Sequence, residues 1–436
     1  MRPMNPKKDR FFFCGSDGMK NFFVKDESLA EQGKKNMEWA EMQMGALAQV
    51  RKRFEKEKPL QGIRVGMALH VTKETGVLVR TLIAGGAEVA ITGCNPLSTQ
   101  DDVAAALAAE GVRVYAYKGE TKEDYYKFLN AVLDFKPQAT IDDGADLISE
   151  IHLKRPELLK DLIVGTEETT TGIIRLRAME RDNALRYPIV AVNDNKTKHL
   201  FDNYYGTGQS TLDGILRATN ILFAGKTVVI AGYGDCGKGV ALRAKGFGAN
   251  VIVTEVDSVC GLQAYADGFR VLKMKDVASI ADIFITVTGD KDVITWDHMK
   301  EMKNGAILAN SGHFNVEIDI EALEKNAKSK RRLRWQLDEY LLPNGHKIFL
   351  CGEGRLVNLA AAEGHPSEVM DLSFCGQALA LEFGVKNKGK LKAGVHVLPS
   401  EVDSNIAKLK LDSLNVKIDQ LTQAQKDYLA SWKEGT

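Results

Sequence analysis

The sequence predicts an α/β protein of two doubly wound parallel sheets joined by hinges, with a short C-terminal tail. Three observations carry this. Strand-like and helix-like segments alternate from Leu60 to Val192. A second alternating block begins at Thr227–Gly239, which reads TVVIAGYGDCGKG. Between them lies Asp194–Gly206 (DNKTKHLFDNYYG), polar, aromatic and without regular pattern, which reads as a connector. Alternating strand and helix implies parallel strands covered on both faces, because each return between parallel strands needs a crossover.

Met1 to about Asp26 has no period and contains Gly15 and Gly18, so it reads as an irregular arm. Glu27–Glu57 is predicted as one helix, with Met37, Ala40, Met44 and Leu47 at core-facing spacing. Strands are predicted at Ile63–Leu69, Ala87–Thr92, Val112–Tyr117, Ala139–Ile141, Leu162–Gly165 and Ile189–Val192. The apolar-periodic stretches Glu74–Ala84, Gln100–Glu110 and Lys122–Asp134 are the helices between them. In the second block Thr227–Ile230 is a strand and Val240–Phe247 a helix. Asn250–Val256, Ala281–Thr288 and Ala306–Asn310 are further strands. Met370–Phe383 reads as a helix leading out of the block, Gly394–Pro399 as a short extended piece, and Ser400–Trp432 as charged and amphipathic.

The chain has 436 residues, enough for two or three domains, with 44% hydrophobic and 27% charged content. Lys+Arg and Asp+Glu number 58 each, so no charge excess points to nucleic acid. The six cysteines form no C-x-x-C pair, which argues against a disulfide framework or zinc site and for a reducing compartment. No stretch reaches the ~20 apolar residues of a membrane span. A soluble, cytoplasmic protein is expected.

Gly232, Gly234 and Gly237 follow the Thr227–Ile230 strand as G-x-G-x-x-G. The first allows a tight turn, the second a close backbone approach to pyrophosphate, and the third close packing of the following helix. That helix presents its N-terminus to the phosphates. Glu255 ends the next strand, roughly 20 residues further on, where a carboxylate accepts from the ribose hydroxyls of NAD and repels the extra phosphate of NADP. A Rossmann-like NAD site follows.

Ligands in such sheets gather beyond the strand carboxyl ends, and these ends are polar here. His70, Thr72 and Glu74 follow the first strand, and Asn95 with Ser98-Thr99-Gln100 the second. Asp142-Asp143, Glu167 to Thr171 and Asn193-Asp194 follow later ones, and Ser311-Gly312-His313 ends a strand of the second block. In the connector, Lys198 and Asp202 stand i,i+4, so a helical turn would place ammonium and carboxylate on one face. Asn358 and His365 lie in LVNLAAAEGH. His152, His199, His298, His346 and His396 read as structural. No two histidines have ligand spacing, so no catalytic metal is expected.

Together these blocks resemble the S-adenosylhomocysteine hydrolase family over nearly the whole chain. The matching motifs are LHVTKET (Leu69–Thr75), STQDD (Ser98–Asp102), IDDGADL (Ile141–Leu147), EETTTG (Glu167–Gly172) and K-x-x-x-DN (Lys198–Asn203). They continue with AGYGDCGKG, SGHFNVEID (Ser311–Asp319) and EGRLVNLAAAEGHP (Glu353–Pro366). The resemblance implies reversible hydrolysis of S-adenosylhomocysteine to adenosine and homocysteine with a tightly held NAD. The substrate's 3′-hydroxyl is oxidised, the 4′ proton is lost, homocysteine is eliminated, water adds and the ketone is reduced again.

It further implies Lys198 as base at the 3′-hydroxyl beside Asp202, its pKa lowered by burial and a positive nicotinamide ring. Asp143 would accept the 4′ proton, and His70 with His313 would serve the sulfur and the incoming water. Thr72, Glu74, Glu168 and His365 correspond to substrate-binding positions. Thr169, Thr170, Thr171, Asn203, Gly232, Gly234, Asp235, Cys236, Gly237, Glu255, Ser311, Gly312, His313 and Asn358 correspond to NAD contacts. The implied arrangement is a substrate domain of residues 1–193 and 366–415, an NAD domain of 206–365 and a tail of 416–436, assembled as a homotetramer.

Four positions depart from the commoner family pattern: Glu74 where many members have Gln, Thr207 for Cys, Cys260 for Asn, and a C-terminus of the shorter archaeal or bacterial type. Because Glu74 accepts hydrogen bonds only, the same chemistry on S-inosylhomocysteine stays open. An NAD-dependent dehydrogenase of a small hydroxy acid and a non-enzymatic NAD-binding regulator are the readings outside the family.

Overall fold

The computed structural model describes residues 21–433. The first strands in the chain are β1 (Arg64–Ala68), β2 (Glu88–Thr92), β3 (Arg113–Tyr115), β4 (Ala139–Asp142), β5 (Val164–Glu167) and β6 (Pro188–Ala191). Then come β7 (Thr227–Ala231), β8 (Asn250–Thr254), β9 (Arg270–Val271), β10 (Ile283–Thr286) and β11 (Ala306–Asn310). β12 (Ser329–Arg334), β13 (Leu337–Leu341), β14 (Lys347–Cys351) and β15 (Gly394–His396) complete the set among the described residues.

Two sheets result, ordered β15-β6-β5-β4-β1-β2-β3 and β12-β13-β14-β11-β10-β7-β8-β9. The first is parallel throughout. In the second only β13 runs against its neighbours β12 and β14. β11 is buried along its whole length and β7 along all but its first residue, as strands covered on both faces must be. Strand order reverses between β1 and β4 and again between β7 and β10, and each reversal opens a crevice beyond the carboxyl ends. Ala68 pairs with Asp142, so the chain emerges from β1 and β4 at one level.

Three expectations need correcting. Glu27–Glu57 is two helices, Ala30–Gln43 and Gly45–Glu57, broken at Met44. The second helix is capped from outside its own neighbourhood: the buried Asp371 carboxylate accepts from Ala46 N at 3.0 Å and Leu47 N at 2.7 Å. Lys410 neutralises that carboxylate at 2.8 Å. Gly394–His396 is more than an extended piece, because it pairs in parallel with β6 and brings the returning chain into the first sheet. The helix before it runs further than expected, Ser367–Lys386, and is buried on most sides. Of the N-terminal arm, residues 1–20 lie outside the described part; Phe23 makes a parallel bridge to Tyr115 at the sheet edge.

The connector is the third correction. It is helical, with a π-helical stretch at His199–Gly206 that runs directly into the helix Thr207–Thr219. It lies against the helix Asp235–Gly246 that follows the glycine turn. A Cβ on Gly239 would fall 1.9 Å from the Tyr204 carbonyl oxygen, and one on Gly208 2.7 Å from the Gly239 carbonyl. Two backbones touch here because neither side carries a side chain at the contact.

Gly239→Ala is therefore expected to cost about 1–3 kcal/mol, the range for overpacking, seen as a lower midpoint in a urea melt. Gly246→Ala on the same helix, where a Cβ meets nothing within 4 Å, is the control and should not lower it. Equal midpoints for the two variants would show that the contact yields without cost.

Candidate active site

A cavity of about 820 Å³ runs between the carboxyl ends of the two sheets. Every residue given a catalytic, substrate-binding or NAD-binding role by the resemblance lines it except Gly237, whereas the strand-end residues Asn95, Ser98, Thr99, Gln100, Asp142, Glu167, Asn193 and Asp194 do not. Gly237 instead sits behind the turn, where a Cβ would fall 2.0 Å from the Gly232 carbonyl oxygen.

At one end, β1 delivers His70 and β4 delivers Asp143. His70 Nε2 lies 3.3 Å from Asp143 Oδ2, and His313 Nδ1, arriving from beyond β11, lies 3.4 Å from Asp143 Oδ1. The two neighbouring acids have different tasks. Asp142 turns inward, accepting from Asp143 N and Ile148 N, and holds the turn. Glu167 Oε1 accepts from Gly144 N at 2.8 Å and Thr169 N at 3.1 Å. Asp143 is thereby left facing the cavity. Gly144, at φ +96°, must lack a side chain, since a Cβ would stand 2.2 Å from His313 Nε2. Burial pushes the His70 imidazole down to about 4 against the pull of Asp143, so it is neutral at pH 7. The ligand atoms of His70, Asp143 and His313 lie within 4.8 Å of one another, a grouping made by the fold from three distant segments and invisible to sequence spacing.

Deeper in, Lys198 is buried among acceptors. Its Nζ donates to Asn203 Oδ1 at 2.7 Å and lies 3.4 Å from Asp202 Oδ1 and 3.8 Å from Glu168 Oε1. Asn193 Oδ1 is a further acceptor at 3.4 Å. His365 Nδ1 stands 3.1 Å from Asp202 Oδ1. Burial works against the Lys198 charge, but Asp202 and Glu168 outweigh it and hold the ammonium above its ordinary range. The expectation of a lowered pKa is thus reversed in the protein alone. Burial likewise opposes ionisation of Asp202, yet Lys198 and His365 keep its carboxyl well below the carboxylate range. Glu168 is pushed up by burial, only partly relieved by Lys198; it accepts from Ser373 Oγ and Gln377 Nε2.

At the purine end expected from the sequence, Glu74 Oε1 accepts from Ser367 Oγ at 2.7 Å. Ser367, Ser373 and Gln377 belong to one helix roughly 200 to 300 residues from the acids they hold, and no local pattern marks them. Glu317, inside a motif noted from the sequence but given no role there, accepts from Thr288 N and Gly289 N and holds the loop after β10.

The other end of the cavity fits a dinucleotide. Gly232 turns at φ +105°, and a Cβ on Gly234 would meet no atom within 4 Å, so the cradle is open. Glu255 is fixed at the end of β8 by Tyr233 N and Val256 N at 2.6 Å and Asp257 N at 3.0 Å. Asn358 donates to Ser210 Oγ, while its buried Oδ1 has no partner, an acceptor left for a ligand. Ser311 Oγ and Thr211 Oγ1 are 2.6 Å apart. His199, read as structural, has Asp235 at 2.9 Å and ties the connector to the first residue of the phosphate-facing helix. Thr207 Oγ1 lies 3.6 Å from Cys236 Sγ.

Comparison with known proteins identifies the family. Residues 21–164 match the profile of S-adenosyl-L-homocysteine hydrolase, and residues 203–364 match that of its NAD binding domain. The chain is 58% identical over 416 residues to an adenosylhomocysteinase of Sulfurisphaera tokodaii, covering 95% of this chain and 100% of that one. An adenosylhomocysteinase of Aquifex aeolicus is also 58% identical, with the same coverage. An S-inosyl-L-homocysteine hydrolase of Methanocaldococcus jannaschii is 59% identical over 413 residues, covering 95% and 99%. With relatives 58–59% identical over 95% of the chain and both family profiles matched, the protein belongs to the S-adenosyl-L-homocysteine hydrolase family.

Proposed function

We propose that the protein catalyses the reversible hydrolysis of S-adenosyl-L-homocysteine to adenosine and L-homocysteine. The observation that carries this is the single cavity in which Lys198, Asp143 and His70 share space with an open glycine cradle. A bound, retained NAD supplies oxidation and later reduction at the 3′ carbon of the ribose, with no net redox change.

The residues divide the remaining work. Lys198 takes the 3′-hydroxyl proton. Any added positive charge in the cavity favours its loss of the ammonium proton, against Asp202 and Glu168. Glu168 and Thr72 hold the ribose, and Glu74 and His365 stand toward the purine. Asp143 removes the 4′ proton, made acidic by the neighbouring ketone. The C5′–S bond then breaks and homocysteine leaves as its thiolate. His70, neutral in the resting protein, takes the proton of the incoming water at Nε2 with His313 alongside and passes it to that thiolate, while Asp143 returns its proton to the 4′ carbon.

The reading extends to two domains, residues 1–193 with 366–415 and residues 206–365, closing about their connectors to exclude water. It also extends to a cytoplasmic homotetramer. Leu414, Ile418, Leu421, Leu429 and Trp432 are exposed on the C-terminal segment and would be covered by a partner subunit. Among the described residues no helix is long and apolar enough to cross a membrane.

A second reading has its own support. Glu74 offers only acceptors, and adenine's amino group and hypoxanthine's N1–H both donate. Relatives named for the adenosyl and the inosyl substrate are about equally similar to this chain.

Purified protein given S-adenosylhomocysteine without added NAD should release free thiol and leave no lasting NADH absorbance. Failure after reloading with NAD would overturn the proposal. The value of kcat/KM for the adenosyl substrate should exceed that for S-inosylhomocysteine; the opposite order selects the second reading. Lys198→Met should abolish the transient bound NADH seen on adding adenosine. Asp143→Asn should retain it while thiol release falls roughly 10²–10⁴-fold; loss of both signals in Asp143→Asn would remove Asp143 from the 4′ step.

A further inference from the structure

The back of the His70 ring is as crowded as its cavity side. Nδ1 lies 2.8 Å from Ser98 Oγ and 3.1 Å from Cys94 Sγ. Neither residue lines the cavity, and both are buried, Ser98 at 2% and Cys94 at 5% exposure. Whatever they do for the reaction passes through the imidazole.

A neutral imidazole carries one proton, and its position decides what the ring can do. With the proton on Nε2, the cavity-side nitrogen is a donor and cannot accept from water. With the proton on Nδ1, Nε2 presents a lone pair. Asp143 pulls toward the first form, because a carboxylate 3.3 Å from Nε2 favours a hydrogen there. That distance is longer than the about 2.7–3.2 Å of an N–H···O hydrogen bond, whereas the contact of Nδ1 with Ser98 is within it.

Ser98 has a single hydrogen to give. Its Oγ lies 3.0 Å from the Asn95 carbonyl oxygen, in the turn where Ser98 N also donates to that carbonyl at 3.2 Å. A hydroxyl whose proton is committed to a carbonyl can only accept from the ring. Cys94 leaves the choice to Ser98: burial keeps its thiol from ionising, so it is a weak, neutral neighbour that can accept from or donate to Nδ1.

We propose that Ser98 is the positioning residue that keeps His70 in the Nδ1–H form and so reserves Nε2 for proton exchange at the reacting carbon. In the water-addition step a water O–H bond and the 4′,5′ π bond break, the hydrogen passes to Nε2, the oxygen bonds the 5′ carbon, and the π pair moves to the 4′ carbon, which takes its proton back from Asp143. In the reverse step Nε2 returns it, and Nδ1–H stays bonded throughout. The consequence for turnover rests on the proposed function; the tautomer itself does not.

The test uses full-length, NAD-loaded protein labelled with ¹⁵N-histidine. Solid-state ¹⁵N spectra of wild type and His70→Asn identify the His70 resonances by difference. Wild type should show Nδ1 protonated and Nε2 bare. Ser98→Ala should move the proton toward Nε2, and Ser98→Thr, which keeps the hydroxyl, should restore it. Thiol release by Ser98→Ala should fall roughly 10–100-fold, the range for partners that orient a functional imidazole, while bound NADH still forms on adding adenosine. A protonated Nε2 in wild type overturns the proposal even if no variant folds, as does an unchanged tautomer in Ser98→Ala. Absence of both thiol release and NADH in wild type would instead count against the hydrolase reading and leave the tautomer result standing.

Discussion

The site depends on a place where two backbones meet without side chains between them. Gly239, in the helix after the phosphate-facing turn, and Gly208, in the continuation of the connector, let Tyr204 and its neighbours lie directly on the dinucleotide helix. The connector carries Lys198, Asp202 and Asn203, so the contact sets the distance between Lys198 and the glycine cradle. His199 adds a polar tie to Asp235. The cradle and Lys198 are thus one structural unit: a shift of the connector would move Lys198 relative to any ring held by the cradle, and under the proposed function small displacements would affect the chemistry.

Around that unit, buried charge is arranged by pairing. Lys198, Asp202, Glu168 and His365 occupy one buried cluster in which the Lys198 ammonium stands between the Asp202 and Glu168 carboxyls. Breaking such a pair is costly, because the survivor stays buried and unpaired. Under the proposed function the same arrangement sets a chemical problem, since Lys198 as the base would have to give up its proton although its neighbours stabilise the ammonium. The cavity has room for a second positive charge beside it, and the balance is tipped by whatever the cavity binds rather than by the chain alone.

The long helix Ser367–Lys386 is the brace of the first sheet's site. Ser367 holds Glu74, Ser373 and Gln377 hold Glu168, and Asp371 caps a helix near the N-terminus. By returning across the first sheet after the second is complete, the chain fixes acids that arrive from two strand ends. It also explains why β15 joins that sheet: the pairing with β6 anchors the end of the returning segment.

Much of this was legible locally. Glycines at 232, 234 and 237, an acid closing β8 and polar residues at successive strand ends are short-range patterns, because turn geometry and strand periodicity act over a few residues. They were enough to name both sheets, their order of appearance and the residues that line one cavity. Other features have no local signature. The break at Met44 comes from a carboxylate about 325 residues away, and the helical connector is held by a neighbour it meets only after folding. The braces on Glu74 and Glu168, and the meeting of His70, Asp143 and His313, arise where three separate segments converge. The Lys198 charge state follows the same rule: its residue type was plain from the sequence, but the sign of its pKa shift depends on which acids the fold brings within about 4 Å, where Coulomb interactions in a buried site outweigh desolvation.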